Sequence, residues 1–221
     1  MELTSLEELY VEELRGLYGA EKQIMRALPK MIKAASHRDL KRAFTTHERQ
    51  TRGHVTRLER IFKQLGERPK AQKSIGMEGL LEEGAALIKE KPSPEVLDAG
   101  LITKAQRVEH YEMACYGTVR TYAALLGRDD HRRLLQQTLD EERETDKLLT
   151  DLAERSINSD ADVQVPAARA AKSAARRRTR RADAEVGLLS VDEAVALDPT
   201  PAGWAARIRA EAGPSDRGPV R

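Results

Sequence analysis

Six side chains in this sequence have the types and spacing of a carboxylate-rich metal site: Glu21, His47, His54, Glu109, Glu112 and Glu142. Each interrupts a helical apolar pattern instead of standing on a polar face. Placed on a wheel at about 100° per residue, Glu21 falls near the centre of the stripe Leu14, Leu17, Ile24 and Leu28. His47, Thr51 and His54 occupy the stripe between Phe44 and Leu58, with Glu48 and Gln50 on its shoulders. Glu112 lies centrally between Val108 and Cys115, and Glu109 sits toward one shoulder beside Tyr116. Thr138, Glu142, Thr145 and Asp146 stand where apolar residues belong between Leu135 and Leu149.

Burying several carboxylates without compensation costs many kcal/mol, which a neutral core cannot absorb. Protonation, an ion-pair network or bound metal would each offset that cost. Only two imidazoles accompany the acids, so a pair of divalent ions is the better solution: carboxylates bridge two ions and histidine adds nitrogen. The bland reading of any one position differs. Glu21 alone would be a boundary residue whose stem snorkels to water, and His54 alone a satisfied core histidine. His110 points away from its face centre, while His37 and His131 fall near helix starts and read as structural.

The elements that must position these groups are long helices. Apolar residues recur at helical spacing from Ser5 to about Ser36, with Pro29 expected to kink the end. A second helix is expected over Arg38–Leu65, stopped by Gly66 with Pro69 beyond. The link is short, so the two should lie antiparallel. Met77 to Glu90 forms a shorter amphipathic segment, and Pro92-Ser93-Pro94 opens a third long helix that runs to Leu126 before Gly127. Asp129 or Asp130 is expected to cap a fourth, reaching roughly Arg155. The fold expected is all-α: a four-helix bundle with an extra short helix between helices two and three. Turning at Ser36 sets Glu21 level with about Thr51, between His47 and His54. Turning at Arg128 sets Glu112 level with about Thr145, close to Glu142. One polar layer at mid-bundle results.

Composition agrees. Of 221 residues, 33% are charged and 4% aromatic, a balance that argues against sandwiches and barrels. A single cysteine, Cys115, excludes an intramolecular disulfide framework and a Cys-rich zinc module. There is no apolar run of membrane-spanning length, and Met1-Glu2-Leu3 does not open like a secretory leader, so a cytoplasmic protein is expected. Residues 1–158 read as the bundle and 159–221 as an Ala/Arg-rich tail, expected to be disordered. The stretch 160–221 carries 11 Lys and Arg against 9 Asp and Glu, leaving 27 of each in 1–159, so the bundle is neutral. Arg169, Lys172, Arg176, Arg177, Arg178, Arg180 and Arg181 form a run with no acid before Asp183. Such a run suits sequence-independent, salt-dependent contacts to DNA phosphates, although the downstream acids neutralise it.

From about Leu9 to Leu152 the chain resembles the bacterial YciE/YciF proteins, a ferritin-like family. The resemblance rests on Leu17-Tyr18-Gly19-Ala20-Glu21-Lys22-Gln23, Ala27-Leu28-Pro29-Lys30, Met77-Glu78-Gly79-Leu80, and Lys104 through the block Glu109-His110-Tyr111-Glu112. Tyr116-Gly117-Thr118 and Thr138-Leu139-Asp140-Glu141-Glu142 with Thr145-Asp146 complete it. It implies a ferritin-like bundle, two iron ions or manganese, ferroxidase-type oxidation of Fe(II) by dioxygen or peroxide, and a homodimer. Glu21 then matches the first-helix glutamate of such sites, Glu109 and Glu112 look like a Glu-x-x-Glu pair of rubrerythrin type, and Glu142 matches the fourth-helix acid. The chain departs from the pattern twice. Thr51-x-x-His54 replaces Glu-x-x-His, with Gln50 where family members often have an acid, and Thr145 takes the second histidine position, leaving Asp146 as a substitute ligand. Tyr18 and Tyr116 are candidate electron donors. The alternative is a metal-poor helical stress protein, a dimeric scaffold whose short helix Met77–Glu90 supplies the interface.

Overall fold

The computed structural model describes residues 3–162, all within one compact unit, Met1–Val163. The described residues form helices only: α1 (Leu6–Ala34), α2 (Arg38–Leu65), α3 (Ile75–Glu90), α4 (Pro94–Leu125), α5 (Asp129–Leu152) and a final short α6 (Asn158–Ala161). A π-helical turn, Ala153–Ile157, joins the last two and buries Ala153 and Ile157. The first residues of the expected tail, 159–161, complete α6; the rest from residue 163, with the basic run from Arg169 to Arg181, lies outside the described residues.

Local chemistry explains the boundaries. Ser5 and Glu8 form a reciprocal capping box at the start of α1: the Ser5 hydroxyl accepts from the Glu8 N–H at 3.2 Å, and the Glu8 carboxylate accepts from the Ser5 N–H at 3.1 Å. Pro29 lies inside α1 and does not end it. Gly66 and Gly127 adopt left-handed φ of 72° and 67°, which stops α2 and lets the chain reverse after α4. α3 begins earlier than its apolar pattern suggests, because the Ser74 hydroxyl accepts from the Met77 N–H. Asp129 and Asp130 do not cap α5. The cap position is Arg128, forced by the immediate exit from Gly127, and the two acids sit in the first turn, where the helix dipole favours them.

The long helices close a ring: α1 packs on α2 and α4, and α5 packs on α4 and α2. The Asp98 carboxylate of α4 fastens the α1–α2 turn, accepting from the Ser36 N–H (2.8 Å), the Ser36 hydroxyl (2.5 Å) and the His37 N–H (2.8 Å). Two apolar blocks fill the ring. One is built around Tyr10, Leu14, Leu58, Phe62 and Tyr116; the other around Leu40, Phe44, Leu101, Leu149 and Ile157. Burial of each such side chain contributes on the order of 1.5–3 kcal/mol, so the blocks hold the helices at fixed depth whatever lies between them. Between them lies the polar layer. α3 covers α1 and α4 beside it, over a third apolar cluster that includes Ile24, Leu28, Met77 and Val108.

The segment leading into α3 crosses α1 at Gly19, and the Gln72 N–H donates to the Arg15 carbonyl at 3.1 Å. A Cβ on Gly19 would stand 1.6 Å from the Gln72 carbonyl oxygen. Gly19→Ala must therefore push backbone away, and should destabilise the bundle by about 1–3 kcal/mol. Thermal or urea unfolding checks this; a melt unchanged from wild type would contradict the close approach.

Candidate metal centre

Six of the expected residues converge. Glu21 (α1), His47 and His54 (α2), Glu109 and Glu112 (α4) and Glu142 (α5) are all buried, none more than 3% exposed. Helix periodicity puts them there: Glu109 and Glu112 lie one turn apart on α4, His47 and His54 two turns apart on α2, so each helix presents its pair to the same interior level. Donor atoms fall into two groups, each drawn within 4.8 Å: His47, Glu109, Glu112 and Glu142 in one, and Glu21, His54 and Glu142 in the other. Glu142 belongs to both.

The polar contacts are specific. His54 Nδ1 stands 3.0 Å from Glu142 and 3.3 Å from Glu21. His47 Nε2 stands 3.4 Å from Glu109, and its Nδ1 4.0 Å from Glu142. The Tyr116 hydroxyl donates to Glu21 Oε1 at 2.5 Å. Eight buried side-chain atoms of the cluster still find no hydrogen-bond partner: Glu21 Oε2, His47 Nε2, His54 Nδ1, Glu109 Oε2, and both carboxylate oxygens of Glu112 and Glu142. Buried polar atoms are ordinarily satisfied. Eight unpartnered polar atoms facing one another could hold a cation.

The surroundings orient both imidazoles. Glu141 Oε2 lies 2.9 Å from His54 Nε2 and is itself held by Arg57 through two bonds, of 2.8 and 2.6 Å. With Nε2–H committed to Glu141, His54 turns Nδ1 inward toward Glu21 and Glu142, the arrangement by which metal-binding histidines are usually fixed. For His47 the partner is Thr145. Its hydroxyl hydrogen goes to the Glu141 carbonyl at 3.0 Å, so its oxygen accepts from Nδ1 at 3.4 Å, leaving Nε2 free toward Glu109.

Sequence reasoning missed Glu141 and Arg57 as parts of the site. Arg57 lies one turn beyond His54 and Glu141 adjoins Glu142, so the spacing was visible, but neither interrupts an apolar stripe. Asp146, expected as a ligand, is brought into neither group. It accepts from Gln106 at 3.0 Å and faces the exposed His110 at 3.4 Å, because it lies about 100° around α5 from Thr145 and so looks toward α4. Tyr18 points its hydroxyl at Glu59, 2.7 Å away and outside the cluster. Gln50 is half-buried beside His47, and the Thr51 hydroxyl bonds back to the His47 carbonyl. His131 is buried against the Tyr10 hydroxyl, and His37 takes the cap position of α2, both structural as expected.

Electrostatics follow from burial and crowding. Burial first, then the charge of Glu142, pushes Glu109 and Glu112 well above the usual carboxylate range. Burial works against a charged His54 ring, yet Glu21, Glu141 and Glu142 outweigh it and raise the ring to about 12. Burial likewise opposes the Glu142 charge, but His54 overcomes it and Glu142 falls to about 2. Burial, reinforced by Glu21 and Glu112, pushes the Tyr116 hydroxyl up. Without metal the cluster is thus held by one central charge pair, with protons on the remaining acids of α4.

Fold and cluster together define a ferritin-like helical bundle with an interior site that could hold metal. Residues 5–162 match a family described as a domain of unknown function, DUF892. The chain is 40% identical over 163 residues to Protein YciF of Escherichia coli strain K12, covering 73% of this chain and 98% of that protein. The crystal structure of the E. coli stress protein YciF matches with a TM-score of 0.68 at 41% identity, covering 71% of this chain and 99% of that one. YcfI from Rhodopseudomonas palustris, described as a candidate structural protein, matches with a TM-score of 0.66 at 40% identity, covering 67% and 95% respectively. This chain belongs to the DUF892 family, as the YciE/YciF resemblance implied. Among the described residues no helix is long and apolar enough to cross a membrane.

A cation entering the cluster must displace the His54 proton and those of Glu109 and Glu112. His54, raised to about 12, is protonated at neutral pH and loses that proton to metal, and the upward shift of Glu109 and Glu112 acts in the same direction, so binding should release protons and tighten as pH rises. Titrating metal-free protein with Mn(II) in weakly buffered indicator solution should acidify it. Saturation without proton release would contradict the assigned charges.

Proposed function

We propose that the chain binds two transition-metal ions, iron or manganese, in this cluster and oxidises Fe(II) with dioxygen or peroxide. The observation that carries the reading is that two donor groups share one carboxylate, Glu142, among eight unpartnered buried atoms. Such sharing lets one residue face two ions. Iron is then substrate: two Fe(II) give up one electron each, reducing dioxygen with two protons to hydrogen peroxide, or hydrogen peroxide with two protons to two waters. Carboxylates are hard donors that favour Fe(III) over Fe(II). Glu109 and Glu112 supply the protons that entering cations displace, and Tyr116 orients Glu21. The π-rich phenol of Tyr116 also stands near enough, with 6.3 Å between its ring and that of His54, to serve as an electron donor.

A second reading keeps the fold and drops the chemistry: a homodimeric stress or scaffold protein. The description of the R. palustris relative favours it, and so does the 80% exposure of Ile75 on α3, an apolar residue available for pairing. DNA retention through Arg169–Arg181 belongs to the same proposal and is tested by comparing full-length protein with protein ending at Asn158.

Anaerobic protein titrated with Fe(II) and then exposed to air should develop the absorbance of carboxylate-bound Fe(III), and Glu142→Ala should abolish it. A wild-type protein that binds no iron and leaves its oxidation rate unchanged would end the proposal. Thermal melts separate the readings. Metal at a hundredfold excess over Kd stabilises a real site by about 2.7 kcal/mol, a Tm rise of roughly 5–10 °C for a chain of this size; a scaffold shows none.

A further inference from the structure

The cluster is closed to water, yet it is not sealed. Between α1, α3 and α4 lies a groove of about 270 Å³ whose rim carries charged residues, among them Arg26 and Glu82, and whose floor is apolar. Directly beneath is a second, smaller cavity of about 20 Å³. Ala27, Met31, Leu81 and Val108 line both spaces, and the inner one ends on His47 and Glu109, members of one donor group. The two cavities therefore lie in series from the surface to the cluster, and α3, through half-buried Leu81, roofs the junction.

The size and lining of the inner cavity select what can pass. A cavity needs roughly 10–15 Å³ to hold one water, so this one has room for a single small molecule. Apart from His47 and Glu109 at its inner end its walls are apolar, so on the stretch between groove and cluster, lined by Ala27, Met31, Leu81 and Val108, a water finds fewer than the two to four polar partners it needs. Hydrogen peroxide, with two donors and two oxygen acceptors, would forfeit its hydrogen bonds on that apolar stretch, and a hydrated cation would forfeit its shell. Dioxygen forfeits nothing.

We propose that this passage under α3 delivers dioxygen to the His47 and Glu109 side of the cluster, with Ala27 and Leu81 setting its bore, and that dioxygen is the oxidant. The inference rests on the metal-oxidation reading above, but its first test does not require metal.

Dissolved dioxygen is paramagnetic and speeds relaxation of methyl groups it touches. In metal-free, methyl-labelled protein under oxygen pressure, Leu28 and Val108 beside the inner cavity should relax several-fold faster than Ile61 and Leu149, which are buried in the apolar blocks away from it. Equal enhancement at all four would overturn the passage, whatever the protein does with iron. Ala27→Leu, at a half-buried helical position, should fill the junction and remove that enhancement. In that variant, oxidation of bound Fe(II) by dioxygen should slow several-fold, while anaerobic Mn(II) affinity and oxidation by hydrogen peroxide stay at wild-type values. Equal slowing with both oxidants would overturn the selectivity. Absence of iron binding by the wild type would instead fail the underlying metal reading, leaving the relaxation result to judge the passage.

Discussion

Four glutamates share one level of an otherwise apolar interior, and the rest of the bundle is arranged around the cost of keeping them there. Apolar blocks above and below fix the depth of every helix, so the carboxylates cannot drift to water without unpacking a block. Positive charge must come to them instead. The chain supplies little of it: His54 is held as a cation by the acids around it, and Arg57 is spent on Glu141, outside the cluster. The eight buried polar atoms left without partners are what a bound cation would satisfy.

Asymmetry is the second organising feature. One histidine is steered by a carboxylate that an arginine holds, the other by a threonine hydroxyl. A carboxylate partner raises the basicity of its imidazole, whereas a neutral hydroxyl does so much less. The side containing His54 and Glu21 therefore offers a stronger nitrogen donor, and the side containing His47 offers more carboxylates. The two halves are chemically unequal, consistent with ions bound at different strengths. Thr145, which departs from the ferritin-like histidine pattern, has a use in this arrangement: it fixes His47 instead of replacing it as a ligand.

Much of this was legible in the residues alone. Long runs of 3.6-residue periodicity determine helices whose depth can be counted from their turns, so Glu21 could be set level with Thr51, between His47 and His54, before any coordinates. Polar residues at the centre of an apolar stripe, such as Glu112, leave no other direction to point. What escaped were features set by reach and neighbours. Asp146 differs from Thr145 by one step around α5, and a wheel does not tell which of two adjacent residues the facing helix will meet. Glu141 gave no signal of its own because its role depends on Arg57, a partner 84 positions away in sequence. Ser74 and Arg128 show the same thing at helix ends, where a single cap or a left-handed glycine moves a boundary by one or two residues.

The proposed pair of cations flanking Glu142 is tested most directly by anomalous diffraction from crystals equilibrated with Mn(II) or, anaerobically, Fe(II). It requires two anomalous peaks inside the bundle, one ligated by Glu21, His54 and Glu142, the other by His47, Glu109, Glu112 and Glu142. An interior free of metal at saturating concentration, with Glu109 and Glu112 paired to each other through their protons, would contradict it.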